Sequence, residues 1–241
     1  MQFEFEVARR LAEIDCPVGE LEPRVEPRVY RRDAFAITLW TYYEPGASRG
    51  REHVDISVSI EAFKGSHIAP ADYAHALIRL HAGLRQIDLD APHIADRIDD
   101  NLPAVRDEQV TPELLAPDRE LLSDVLGRMR NRMRATGTGE QLLHGEPHPG
   151  NVLSTRRGPL FIDLGTCCRG PIEYDLAYAP EEVAEHYPEA NQALIHECRI
   201  LMWALITTYR WHPHDQLPNR DYWRIEGLNQ IRAGLDRYGL G

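Results

Sequence analysis

The spacing of apolar residues along the chain predicts a helix near its start and several more beyond residue 69. Between residues 3 and 14, Glu4 falls on one helical face with the apolar Val7 and Leu11, and a Cys-Pro pair ends the helix. The same spacing predicts helices over residues 70–84, 119–134, 188–209 and 222–238. Most of the chain after residue 69 is therefore expected to be helical.

Two parts of the chain are predicted to form strands. Residues 34–43, AFAITLWTYY, are β-branched and aromatic, which predicts one buried strand. Short apolar segments separated by Gly and Pro follow at residues 141–143, 151–153 and 160–164. Strands joined by such loops are typical of regions that hold active sites.

Composition narrows the class of protein and of partner. The 241 residues are 43% hydrophobic and 27% charged, and the formal net charge is −11. An acidic surface argues against a nucleic-acid partner and suits a small cationic substrate. The charged N-terminus is no secretory signal, and no apolar run reaches the roughly 18 residues needed to span a bilayer. We therefore expect a cytoplasmic protein without a membrane partner.

The segment of residues 142–153, LLHGEPHPGNVL, has a spacing that suits phosphoryl transfer. This reaction needs a carboxylate for the hydroxyl proton and oxygen ligands for Mg²⁺. Protein kinases supply these groups from a loop spaced H-x-D-x-x-x-x-N and from an Asp at the end of a later strand. Here His144, Glu146 and Asn151 have the loop spacing, and Asp163 follows an apolar pair.

From His144 to Ala177 the chain resembles the aminoglycoside phosphotransferases, the choline kinases and their relatives. The resemblance rests on HGEPHPGNVL, on the Ile-Asp pair and on GPIEYDLA, in that order, with weaker similarity elsewhere, including LHA at residues 80–82. It implies the α+β, protein-kinase-like fold. Residues 1–44 would be a remnant of a truncated N-lobe with its hinge strand. Residues 45–241 would be a mainly helical C-lobe with the catalytic loop and substrate-binding helices.

The resemblance also implies roles for residues of the motif. Glu146 stands where the family has its catalytic Asp, and Asn151 and Asp163 would bind Mg²⁺. His144 would brace the loop, and Asp175 would anchor it by hydrogen bonds to its backbone.

Nucleotide-binding residues are implied in the N-terminal part. Backbone groups near Tyr42 and Glu44 would meet the adenine of ATP. Glu4 resembles the helix glutamate that pairs with the phosphate-binding lysine.

The function that follows is ATP- and Mg²⁺-dependent transfer of a phosphoryl group to a hydroxyl group of a small molecule, for which a cationic substrate fits the charge. Two alternatives stay open. One is a catalytically inactive kinase-like module that binds a metabolite or a protein. The other is a metallohydrolase, since His144, Glu146 and His148 alternate as metal ligands on a strand do. Pro147 and Pro149, however, disfavour a regular strand.

Two features depart from the family pattern. The first is Glu146, whose unperturbed pKa of about 4.3 is close to the 3.9 of Asp. Its side chain is one methylene longer, however, and a misplacement of about 1 Å can cost on the order of 10² in rate. We hypothesise that it still serves as the base.

The second departure is the absence of the strands that carry a Gly-rich loop and a lysine. The one lysine, Lys64, follows the predicted hinge, and no G-x-G-x-x-G occurs. A start codon placed too late, a fragment, or loss of kinase activity would each explain this. We favour a truncated gene model or domain, because the metal ligands persist. Coding sequence upstream of Met1 would decide between truncation and loss of activity. Without the missing strands, the first helix would be exposed, and this exposure would drive formation of a homodimer.

Overall fold

The structure, a computed structural model, describes residues 1–43, 68–135, 137 and 139–240. These ranges contain seven α-helices: α1 Gln2–Glu13, α2 Pro70–Leu84, α3 Ile94–Arg106, α4 Ala116–Ala135, α5 Ile172–Tyr178, α6 Gln192–Trp211 and α7 Arg220–Tyr238. Three antiparallel strand pairs accompany them: β1 Tyr30–Arg32 with β2 Phe35–Ile37, β3 Gln141–Leu143 with β6 Cys168–Gly170, and β4 Val152–Thr155 with β5 Gly158–Phe161. No helix in the described ranges is long and apolar enough to cross a membrane.

The helices predicted from the apolar spacing are present with modest shifts at their ends, and α2 has the predicted bounds. The prediction omitted α3, although its buried Ile94, Ile98 and Val105 recur at helical spacing. Pro103 lies inside this helix and obscured the pattern, because proline in a helix interior removes a hydrogen bond and is usually taken as a stop.

The buried strand predicted over residues 34–43 is wrong in both length and burial. Only Phe35–Ile37 is strand, and the Phe35 side chain is 71% exposed. The described remainder, through Tyr43, makes one isolated bridge, between Leu21 and Trp40. β-Branched and aromatic residues fit a pleated surface, but among the described residues β2 pairs only with β1 and its Phe35 side chain is left exposed.

Two hydrophobic clusters hold the described residues together. The α3–α7 cluster consists of buried side chains from α3 through α7, such as Ile98, Leu126 and Leu201. The α1–α2 cluster joins α1 and α2 to the β4–β5 hairpin, with Leu11 and Phe161 among its members. Residues from the start of the chain therefore share a core with later elements, and the boundary at residue 44 stays a prediction.

The apolar face of α1 is covered by the same chain. Val7 and Leu11 have no exposed surface, and Phe5 is 6% exposed. The expectation of a bare first helix is therefore wrong, because α2 and the turn after Asp163 pack on it. A homodimer stays an untested prediction.

Helices α6 and α7 approach closely at Gly227, which gives a test of the packing. A Cβ on this residue would overlap Thr207 Oγ1 and lie 3.1 Å from Thr207 Cβ. Thr207 is fully buried, and its hydroxyl donates a hydrogen bond to the Trp203 carbonyl oxygen. We expect G227A to lower the free energy of unfolding by about 1–3 kcal/mol, measured by urea denaturation.

The matched control is G127A in α4, where the nearest atom to an added Cβ is 4.0 Å away. Alanine there should leave stability unchanged or raise it by up to about 1 kcal/mol, because glycine is a poor helix former. Equal losses in the two variants would contradict close packing at Gly227.

Candidate active site

Asp175 of α5 fixes the start of the loop between β3 and β4. Its side chain is fully buried, and its two oxygens accept hydrogen bonds from the backbone N–H groups of His144, at 2.9 Å, and Gly145, at 2.8 Å. His81 of α2 lies 2.9 Å from the same carboxylate through Nε2, and its Nδ1 lies 2.9 Å from the Tyr187 hydroxyl. One buried carboxylate thus joins two helices to the loop.

His144 lies inside the loop with both ring nitrogens engaged. Its Nε2 is 2.9 Å from the Ile162 carbonyl oxygen, and its Nδ1 accepts from the Glu146 backbone N–H at 3.3 Å. This pairing requires the tautomer protonated at Nε2. Burial lowers the pKa of His144, which favours the neutral ring. Because neither nitrogen is left for a metal, the geometry argues against the alternating ligand set of a metallohydrolase.

Gly145 brings the loop into contact with the turn that follows Asp163. Its φ of +93° is in the region that favours glycine, and a Cβ there would overlap the Thr166 carbonyl oxygen. The Thr166 hydroxyl also donates to the His144 carbonyl oxygen at 3.3 Å. The backbone on which the next residue, Glu146, is mounted is therefore packed directly against this turn.

Glu146 is half-buried and lies among charged neighbours. Burial raises the pKa of its carboxyl group, the positive charge of Arg97 opposes this rise, and the charges of Asp163 and Asp175 add to it. Arg97 is not among the residues predicted from the sequence, because it comes from α3, a helix that was not predicted. The helical spacing around residues 94–105 could have revealed this helix, but its contact with the loop depends on tertiary packing.

Asn151 and Asp163 are brought close by the backbone. The Ile162 N–H donates to the Asn151 carbonyl oxygen at 3.0 Å, and Asp163 follows directly. The Asn151 side-chain nitrogen donates to the Glu146 carbonyl oxygen at 2.9 Å, which leaves the amide oxygen for another partner. Asp163 is exposed and has a φ of +62°, which is uncommon outside glycine and occurs at functional sites.

These two oxygen-bearing side chains fit a magnesium ion. Mg²⁺ prefers oxygen ligands and usually keeps water, with one or two protein carboxylates and substrate phosphates completing its shell. Within the described ranges, no three His, Cys, Asp or Glu side chains form a complete metal-binding group. The donor set of Asn151 and Asp163 thus suits an ion that arrives with phosphate better than an ion held in a closed protein cage.

Glu4 of α1 lies within electrostatic reach of Asp163. Burial raises the pKa of Glu4, and the charge of Asp163 raises it further. Because Asp163 acts in the same way on Glu146, Asp163 repels the carboxyl groups of both residues. A cation bound there would relieve this repulsion.

Of the two predicted adenine-binding residues, the structure describes Tyr42, which lines a cavity apart from this loop. Tyr42 is 81% exposed and lines a cavity of about 810 Å³ whose walls also include Arg79 and Arg157. Glu146, Asn151 and Asp163 are not part of its wall. Glu44 lies outside the described residues.

Comparison with known proteins gives a consistent result. Residues 2–199 match the phosphotransferase enzyme family. A choline/ethanolamine kinase family protein from Mesorhizobium loti has a TM-score of 0.67 at 18% identity, covering 98% of this chain and 79% of that one. Choline kinase from Streptococcus pneumoniae has a TM-score of 0.65 at 16% identity, covering 100% of this chain and 80% of that one. An aminoglycoside 2'-phosphotransferase-IIIa in a GDP complex has a TM-score of 0.61 at 16% identity, covering 98% of this chain and 82% of that one.

A search of curated protein sequences found no match. At 16–18% identity, the structural likeness shows a shared fold. The prediction of an α+β, protein-kinase-like fold is therefore confirmed.

Proposed function

Because this chain belongs to the phosphotransferase enzyme family, we propose that it transfers the γ-phosphoryl group of ATP to a hydroxyl group of a small molecule. In this proposal Glu146 is the base, and Asn151 and Asp163 hold Mg²⁺. The observation that carries it is the hydrogen-bonded unit of these three residues. Asn151 bonds to the Glu146 carbonyl oxygen through its side chain and to the residue before Asp163 through its backbone.

In the proposed reaction, the acceptor oxygen attacks the γ-phosphorus while its proton passes to the Glu146 carboxylate. The bond between the γ-phosphorus and the β–γ bridging oxygen breaks, and ADP leaves with the electron pair. Mg²⁺ would neutralise charge on the phosphate oxygens. Such a reaction depends mainly on positioning and electrostatics, since the phosphoryl group needs little covalent help from the protein.

The loop backbone is well placed to orient the longer glutamate side chain. Asp175 holds the loop before Glu146, and the hydroxyl of the buried Tyr73 donates to the Pro147 carbonyl oxygen after it. Fixed backbone on both sides limits the positions that the carboxylate can reach. This supports the view that a glutamate can occupy the position of the family's aspartate.

We expect E146Q to lower kcat by about 10²- to 10⁴-fold and to leave the KM for ATP nearly unchanged, because the amide cannot accept the proton. The measurement is ATP-dependent phosphorylation across a panel of hydroxyl compounds, followed by ADP release. E185Q is the matched control, because Glu185 is exposed and lies far along the chain from the loop.

An E146Q variant as active as the parent would remove this residue from the mechanism. A parent protein that binds ATP with Mg²⁺ but phosphorylates no hydroxyl compound would favour the inactive binding module instead.

A further inference from the structure

We propose that Arg97 binds an acidic group, a carboxylate or a phosphate, of the phosphoryl acceptor, so that the substrate is a hydroxyl compound with a negative charge. This inference rests on the proposed function and specifies the class of its substrate. It differs from the expectation of a cationic substrate, which came from the net charge of the whole chain rather than from the site.

Arg97 lies directly against the catalytic loop. It is in the first turn of α3, and one guanidinium nitrogen, Nη2, donates to the Thr166 carbonyl oxygen. The same nitrogen is 3.4 Å from the position that a Cβ would take on Gly145, the residue before Glu146. A group bound to this guanidinium would therefore lie next to the proposed base.

The guanidinium is half-buried but has few partners. The bond to Thr166 is the one hydrogen bond that this guanidinium makes within the described residues, and no carboxylate there lies within ion-pair distance. Arg119, also half-buried, makes four hydrogen bonds, and Arg224 pairs with two carboxylates. The remaining N–H groups of Arg97 make no hydrogen bond within the described residues and are not fully buried, so they still reach solvent.

A partly desolvated guanidinium that forms no ion pair within the described residues has room for an anion beside the charge of Glu146, and its planar fork matches carboxylate or phosphate. Ordinary surface lysines and arginines differ from Arg97, because their charged groups remain fully solvated. The geometry therefore points to an anion that binds from the open side of Arg97.

The position of Arg97 suggests which substrate brings that anion. Ile94 and Ile98, which flank it on α3, belong to the α3–α7 cluster, whereas α1 with Glu4 belongs to the α1–α2 cluster. The loop lies where the two clusters meet. Asp163 and Glu4 interact with each other, and Arg97 interacts with Glu146 and with the buried tyrosines of α5. The acceptor, which must reach Glu146, is thus the substrate that meets Arg97 from the α3 side.

The first test is anion binding by a protein whose nucleotide site is filled. The parent and R97Q are saturated with Mg²⁺ and a non-hydrolysable ATP analogue, and then titrated calorimetrically with inorganic phosphate and, separately, with acetate. We expect R97Q to bind at least one of these anions about 10- to 100-fold more weakly than the parent, because a charge-assisted hydrogen bond is lost. R97K should recover part of the affinity, and R106Q, at the far end of α3, should bind like the parent.

Equal binding by parent and R97Q, or no binding by either, would overturn the proposal. If R97Q instead loses affinity for the nucleotide analogue, Arg97 binds ATP phosphate and not the acceptor. Failure of the parent to bind the analogue would count against the proposed function, and the same titration without nucleotide would then decide whether Arg97 binds anions at all. Thermal unfolding of each variant confirms that it is folded.

The second test is kinetic and uses matched acceptors. Glycerate is compared with glyceramide, glycerol 3-phosphate with glycerol, and choline serves as the cationic compound. For any pair that is phosphorylated, we expect the parent to have the lower KM for the acidic member and R97Q to reduce that difference about tenfold or more. A parent that prefers the neutral member or choline would contradict the proposal.

Discussion

Replacing Asp163 by Asn is expected to lower kcat/KM for phosphoryl transfer by on the order of 10³-fold or more while the protein stays folded. The substitution removes one charge from the proposed Mg²⁺ site, and charge stabilisation by a bound metal contributes several kcal/mol to a transition state. The backbone should tolerate it, because Asn, like Asp, adopts the left-handed conformation found here more readily than most residues other than glycine. The loss should be partly offset at high Mg²⁺ concentration.

The matched control is D33N. Asp33 is also exposed and also has a left-handed φ, +54°, but it lies in the turn between β1 and β2. The same substitution on the same backbone conformation should leave activity unchanged there. A D163N protein with the parent's rate and Mg²⁺ dependence would remove Asp163 from the proposed site.

Replacing Asp175 by Ala is expected to give a large loss of stability, roughly 3–5 kcal/mol in the free energy of unfolding. The side chain has no exposed surface and serves three polar groups, namely the His144 and Gly145 backbone N–H groups and His81 Nε2. Alanine leaves all three without this acceptor in a place that water does not reach, and an unsatisfied buried group costs about 1–3 kcal/mol. Chemical denaturation measures the effect.

D124A is the matched control, because it also removes an aspartate side chain and its charge from a helix. Asp124 is exposed in α4, and a surface substitution of this kind usually changes stability by about 0.5 kcal/mol or less. D175N, which keeps one acceptor oxygen, should fall between the parent and D175A. If D175A unfolds at the same denaturant concentration as D124A, the buried carboxylate does not hold the loop.

The sequence predicted those parts of the site whose partners are close along the chain. His144, Glu146 and Asn151 lie on one loop, so their spacing alone brings them together. Asp163 follows one hairpin later, and the backbone hydrogen bond from Ile162 to Asn151 sets its place.

Partners from distant parts of the chain could not be predicted in the same way. Arg97 lies 49 residues before Glu146, and Tyr73 lies 73 residues before it. Both reach the loop from helices, and only the packing of those helices decides the contact. The strand predicted over residues 34–43 failed for a related reason, since composition indicates a pleated backbone but not whether another layer covers it.

The close approach of Gly145 to the Thr166 carbonyl oxygen has a consequence for protein engineering. Because the two backbones touch without a side chain between them, the segment with the proposed base and the segment with the proposed metal ligand form a preassembled block. Mutant libraries aimed at new acceptors can leave residues 144–151 and 163–166 untouched. Diversity placed on the exposed positions of α3 would then alter selectivity without disturbing the block.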